Sequence, residues 1–143
     1  ANTLMWRQIA LAEYGLSGND ASCVILLNIY GRQVLIAGDI EAKAEAMLVA
    51  LVGELDSVSL VSDVLIAPHH GSKTSSTADF LAKVRPSYVL ISAGKANPYG
   101  KRNKKKTQAY GRHGSHWYNT ARHGQIQAVF TANGEYKVRP YLP

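Results

Sequence analysis

The chain has 143 residues, 46% of them hydrophobic, which suffices for one ordinary domain with a buried core. No apolar run approaches the ~20 residues that cross a bilayer, and Ala1-Asn2-Thr3-Leu4 lacks the basic start and apolar centre of a signal peptide, so the chain as written reads as a soluble piece. Its formal charge of +6 is lopsided: nine of the ten acids fall between Glu13 and Asp79, while Phe80 to Gly134 holds ten Lys or Arg and no acid, a field suited to polyanions such as nucleic acid or to a solvated basic face.

After an ambiguous apolar start, Ser22–Ile29 and Gln33–Ala37 read as strands joined by the Tyr30-Gly31-Arg32 turn, and their near-continuous apolar character predicts that both faces are covered. Cys23, alone of its kind, reads as a small buried hydrophobe rather than a reactive thiol. From Glu41 the period becomes helical through Ala44, Met47, Leu48, Leu51, Val52 and Leu55, with Glu41 and Glu45 suiting the positive end of the helix dipole. Val64–Ala67 is a short buried strand stopped by Pro68, and Ser76 is placed to cap a second helix carrying Phe80, Leu81 and Val84 until Pro86.

Tyr88–Ser92 is a further core strand, and the basic segment Lys101–Gly114 has helical character. Strands follow at His116–Thr120, Gln125–Thr131 and Glu135–Arg139, the last two joined by Asn133-Gly134, a strong hairpin signal. Strands alternating with helices after an antiparallel start predict a mixed β-sheet with flanking helices on one face, an α/β or α+β layered domain.

Two polar clusters directly follow buried strands, where layered α/β folds build their sites. One is Gly38-Asp39: an aspartate there can bridge metal ions, with the glycine turning the chain to aim it, or it can cap the helix after Glu41. The other is His69-His70-Gly71-Ser72, whose imidazoles can serve metal, proton transfer or phosphate, unless the pair is a chance loop feature. Lys73 and Thr74-Ser75-Ser76 lead into a helix N-terminus, open to an anion or to plain capping. Lys101-Arg102-Asn103-Lys104-Lys105-Lys106 is either a phosphate-contacting run or a solvated helix face, and it lacks the interleaved aromatics of a base-stacking platform. His113, His116 and His123 straddle a change of structure and receive no metal role.

An ordered series of segments resembles the metallo-β-lactamase-like domain of the ComEC family, inner-membrane proteins that take up DNA in natural competence. It runs from Asn19-Asp-Ala-Ser-Cys-Val24 through Leu35-Ile-Ala-Gly-Asp-Ile40 and Leu65-Ile-Ala-Pro-His-His-Gly-Ser72 with Thr74-Ser-Ser76. Val84-Arg-Pro86, Leu90-Ile-Ser-Ala-Gly94, Asn97-Pro-Tyr-Gly100, Tyr118, Thr120, Gly124 and Ile126 follow, so the resemblance covers about Asn19 to Phe130.

The resemblance implies a four-layer αββα sandwich of which residues 1–143 are approximately one half, the C-terminal portion of a domain in a larger protein. It implies a dinuclear site for a divalent metal, manganese or zinc, between two sheets in the complete domain, and hydrolysis of DNA phosphodiesters. Asp39 looks like the bridging metal ligand; His69, His70 and Ser72 look like catalytic residues, part of the metal-ligand or phosphate-contacting set; Lys73, Lys101, Arg102, Lys104, Lys105 and Lys106 are the candidate DNA contacts.

Implied partners are DNA, the rest of the parent membrane channel and a homodimeric copy covering an open sheet face, with no direct membrane insertion; the implied setting is the soluble, periplasmic or extracytoplasmic part of an inner-membrane protein. Two departures qualify this. The fold's first metal motif, H-x-[HD]-x-D-H, is absent, so Asp39 with His69 or His70 leaves a divalent ion short of ligands; the fragment alone is expected to be inactive, with its own metal occupancy left open. Lys101 stands where the family has a histidine followed by proline: it either meets a phosphate as a point charge or marks a catalytically degenerate, DNA-binding member.

Overall fold

The computed structural model describes residues 4–94 and 104–141. It has an α/β architecture in which a mixed six-stranded sheet is flanked by helices, with a separate two-stranded ribbon. The sheet runs in simple order through β1 (Leu4–Ala10), β2 (Cys23–Ile29), β3 (Arg32–Ile36), β4 (Val64–Ile66), β5 (Tyr88–Ile91) and β6 (His116–Asn119). β1, β2 and β3 pair antiparallel, and β3 to β6 pair parallel.

The β2–β3 hairpin closes on Tyr30 and Gly31, whose φ angles of 51° and 84° match the left-handed pair that a two-residue hairpin loop requires. Helices α1 (Ala42–Glu54), α2 (Ala78–Val84) and α3 (Lys104–Arg112) connect the parallel strands, and a four-residue helix, α4 (Thr120–His123), follows β6. Parallel neighbours need such crossovers, and these carry the polar loops to one edge of the sheet.

Strand residues alternate between two cores. Leu35, Leu65 and Val89 pack with Leu48, Phe80, Leu81 and Tyr110 on the helix side. Val34, Val64, Tyr88 and Leu90 face β7 (Gln125–Phe130) and β8 (Tyr136–Tyr141), which contribute Ile126, Phe130, Tyr136 and Val138. Both faces of the central strands are therefore covered, by helices on one side and an antiparallel ribbon on the other, so the open sheet face expected to call for a second copy is not found there.

Four sequence expectations shift. The ambiguous start is an edge strand, with Leu4, Met5 and Trp6 exposed. Cys23 is exposed rather than buried, its Sγ accepting from Gln8 Nε2 at 3.1 Å, because it lies at the outermost residue of β2. Thr77, not Ser76, caps α2, its hydroxyl accepting from Phe80 N at 3.3 Å. Ser76 is instead left-handed, at φ 55°, with its hydroxyl turned inward. The last strand runs on through Pro140 to Tyr141.

Candidate functional site

The parallel strands β3, β4 and β5 deliver three successive loops to one sheet edge. After β3, Gly38 adopts φ +61°, and a Cβ there would lie 2.9 Å from Ser22 Cβ, so both conformation and space demand glycine. The turn lets Asp39 N–H donate to Ser22 Oγ at 3.2 Å, while Gly38 O accepts from His69 N at 2.9 Å. The two clusters singled out in the sequence are thus tied backbone to backbone. Asp39 does not cap α1: the capping position is Glu41, which makes no side-chain cap bond.

After β4 the chain makes a turn over Pro68–Gly71 in which His69, His70 and Gly71 are all left-handed, at φ 47°, 53° and 71°. Non-glycine residues adopt this region at a cost, and two in succession persist only where surrounding bonds impose them. Those bonds are present: Ser75 Oγ donates to Pro68 O at 2.9 Å, and Ser72 N donates to His69 O at 2.9 Å. Thr74 O also accepts from Ala42 N at 3.0 Å, joining the loop to the start of α1.

Both imidazoles are oriented through Nδ1. In His70, Nδ1 meets the Ser92 carbonyl at 2.9 Å; a carbonyl only accepts, so Nδ1 carries the proton. In its neutral form His70 then presents a bare Nε2, which lies 3.6 Å from Asp39 Oδ1. Two acceptors facing each other call for a cation or a proton between them, and a histidine fixed by a backbone carbonyl is the usual arrangement of a metal ligand. His69 Nδ1 lies 3.0 Å from Glu41 Oε1, with Thr74 Oγ1 at 3.5 Å, so it is Nδ1 rather than Nε2 that anchors this ring. The side chains of His70 and Asp39 are 58% and 47% exposed, leaving the pair open to a large substrate.

The donor set is incomplete for a divalent ion. Asp39 and His70 supply two donors, the His69 and His70 rings stand 6.5 Å apart, and among the described residues no group of three or more His, Cys, Asp or Glu could hold a metal. The described residues therefore do not make up a whole metal site by themselves. Lys101 and Arg102 lie outside the described residues.

The remaining candidates separate. Ser72 Oγ pairs with Thr74 Oγ1 at 3.0 Å, inside the loop. Lys73, Lys104 and Lys105 are exposed. Lys106 turns inward: its ammonium donates to Ser75 O and, at 3.3 Å, to Ser76 O. Desolvation lowers its pKa, against an opposing pull from Glu45.

Lys106 belongs to a buried cluster that sequence reasoning missed. Glu45, read as a helix-dipole acid, has no exposed surface and accepts from Ser76 N at 2.5 Å and Thr77 N at 2.8 Å. Ser76 Oγ pairs with Tyr110 Oη at 2.8 Å. Burial, the largest cause, pushes the Tyr110 hydroxyl up to about 12; Ser76 opposes and Glu45 adds to the shift. The Glu45–Ser76–Tyr110–Lys106 cluster fixes the far end of the His-His-Gly-Ser loop from beneath. The only sequence signal was Glu45 falling among the apolar positions of α1.

No family model matches the chain. The chain is similar to Recombination protein 2 of Haemophilus influenzae, 38% identical over 112 residues, which are 78% of this chain and 13% of that protein. It is similar to Competence protein ComA of Neisseria gonorrhoeae, 40% identical over 84 residues, 59% of this chain and 12% of that one. ComE operon protein 3 of Bacillus subtilis is 32% identical over 111 residues, 78% of this chain and 14% of that protein. The chain thus spans about a seventh or less of the length of these relatives. No described helix is long and apolar enough to cross a membrane.

Proposed function

We propose that this chain works within a DNA-uptake protein of the ComEC family, as the C-terminal portion of a metallo-β-lactamase-like domain whose site cleaves phosphodiesters of incoming DNA. The single observation that carries the reading is the His70 ring, tied through Nδ1 to Ser92 O, with Nε2 turned toward Asp39 Oδ1 at 3.6 Å. The similarity to a protein named for competence supports the setting.

In this reading Asp39 and His70 contribute to a divalent-metal site whose other ligands lie outside the described residues; manganese or zinc, once bound, would activate water and offset phosphate charge. The chain's own residues hold the geometry: Glu41 orients His69, and Ser72 with Lys73 stands beside the site to receive a phosphate oxygen. DNA and the remainder of the parent protein are the partners. The extracytoplasmic side of an inner membrane is the proposed location.

A DNA-binding module that has lost catalysis is the second reading, favoured by the two-donor count at Asp39 and His70. Cleavage of single- and double-stranded DNA by the intact parent protein, with Mn²⁺ or Zn²⁺, separates the two. The first reading expects metal-dependent turnover that Asp39→Ala lowers by at least about 100-fold. Absence of turnover with either metal, with DNA binding unchanged in Asp39→Ala, selects the second. The isolated chain is expected to cleave nothing.

A further inference from the structure

The β7–β8 ribbon presents its second face to solvent. In its register, Val129 stands opposite Lys137, Gln127 opposite Arg139 and Gln125 opposite Tyr141, and these six alternate with the inward residues Ile126, Ala128, Phe130, Tyr136 and Val138. Lys137 and Arg139 are exposed, and neither has a carboxylate partner among the described residues. Tyr141, the next residue of that face, is 47% exposed.

Arg32 reaches up from β3 to the ribbon's turn, beside the inward Tyr136. Its Nε donates to Gly134 O at 2.6 Å, its Nη1 donates to Asp63 Oδ1 at 3.2 Å, and its guanidinium lies 5.1 Å from the centre of the Tyr136 ring. These contacts hold the cation in place and engage Nε and Nη1, leaving Nη2 without an acceptor among the described residues. A cavity of about 680 Å³ opens here, lined by Arg32, Lys137 and Arg139 together with Val129, Tyr136 and the acidic Glu135.

We infer that this face binds the sugar-phosphate backbone of a single nucleic-acid strand lying along β8, with Lys137 and Arg139 on successive phosphates and Tyr141 against a base. Same-face residues of a strand are spaced by about 6.7 Å, close to the separation of successive phosphates along an extended chain. Unpaired cations on a rigid ribbon with an aromatic at one end are the elements of a single-strand groove. Duplex DNA fits less well, because its paired bases offer Tyr141 no free face.

The placement gives the groove a direction. The ribbon's turn contacts Arg32, where β3 begins, whereas Gln125 and Tyr141 lie just past α4, at the edge where β6 ends. That is the edge carrying Asp39 and His70. The groove thus lies outside the candidate site and leads toward it; this directional part rests on the proposed function, whereas strand binding does not.

The test is fluorescence anisotropy of a labelled oligothymidylate with the full chain, without metal, over a salt series. Each phosphate neutralised on a single strand adds roughly 0.7 to the salt slope, so Lys137→Ala/Arg139→Ala is expected to make that slope shallower by about 1.4 and to weaken binding by about tenfold. Lys137→Arg/Arg139→Lys is expected to restore both. An unchanged affinity and slope in the alanine pair overturns the inference, as does binding to phosphatidylserine vesicles with none to the oligonucleotide.

Photo-crosslinking of the wild-type chain to a bromodeoxyuridine oligonucleotide is a check that needs no variant. It is expected to label Tyr141, and labelling confined to other surfaces overturns the assignment. Failure of the parent protein to cleave DNA would leave these binding results standing.

Discussion

The loop from Pro68 to Ser76 is held between two regions of opposite character. On its outer side, Asp39 and His70 meet at 3.6 Å with about half of each side chain in water. On its inner side, Glu45, Ser76 and Tyr110 are closed off from solvent and fully hydrogen-bonded to one another or to backbone. Water screens the outer pair and stabilises each partner nearly as well as the other does, so the pair contributes little to folding and is available for chemistry. The inner cluster has no such alternative; it fixes geometry and touches no substrate.

Substitutions should split along that line. Glu45→Ala carries the largest expected effect, about 3 kcal/mol lost in urea unfolding, since the buried Ser76 N–H and the part-buried Thr77 N–H lose the carboxylate that accepts from both. Gly38→Ala comes next, at roughly 2 kcal/mol, from the left-handed φ and the 2.9 Å approach to Ser22; a stability equal to wild type would show that the two loops are not tied through this turn. Tyr110→Phe should cost about 1 kcal/mol, one hydrogen bond. Asp39→Ala should move stability by less than about 0.5 kcal/mol, and a larger effect would place the pair with the structural region instead.

Alkaline pH probes the inner region. The Tyr110 hydroxyl is raised from 10.0 to about 12 in the folded chain, so its contribution is complete below pH 10 and is lost as pH climbs toward 12. Lys106 is lowered from 10.5, so its opposite contribution, a gain with rising pH, ends near that value. Of these two groups, only Tyr110 changes the stability between pH 10.5 and 12. Equilibrium unfolding there should steepen with pH by at most tenfold per unit, and Tyr110→Phe should flatten that dependence.

The outer region was legible in the sequence because its signals are local. Gly38-Asp39 and His69-His70-Gly71 each follow a short apolar strand, and parallel pairing carries both to one edge. The cap alternative for Asp39 falls because Glu41 holds that position, and the approach of Asp39 to His70 is one that only the sheet creates. The inner region was not legible, because Glu45 and Ser76 are 31 residues apart and Lys106 is distinguished from Lys104 and Lys105 only by the rotation of α3. A basic run looks uniform in sequence; a helix turns one of its members inward. The one-residue displacement of the α2 cap has the same origin, since Ser76 is recruited by Tyr110 and Thr77 takes over the capping bond.

β1 brings a consequence of a different order. It borders the sheet, pairs with β2 on one side, and carries Leu4, Met5 and Trp6 at 57%, 55% and 66% exposure. A rim of backbone donors and acceptors with no strand beside it among the described residues, next to apolar side chains, is a template for another extended segment. The isolated chain should consequently have a low solubility ceiling, forming oligomers as its concentration rises. Trp6→Lys should raise that ceiling, measurable by light scattering, and leave the unfolding midpoint nearly where it was.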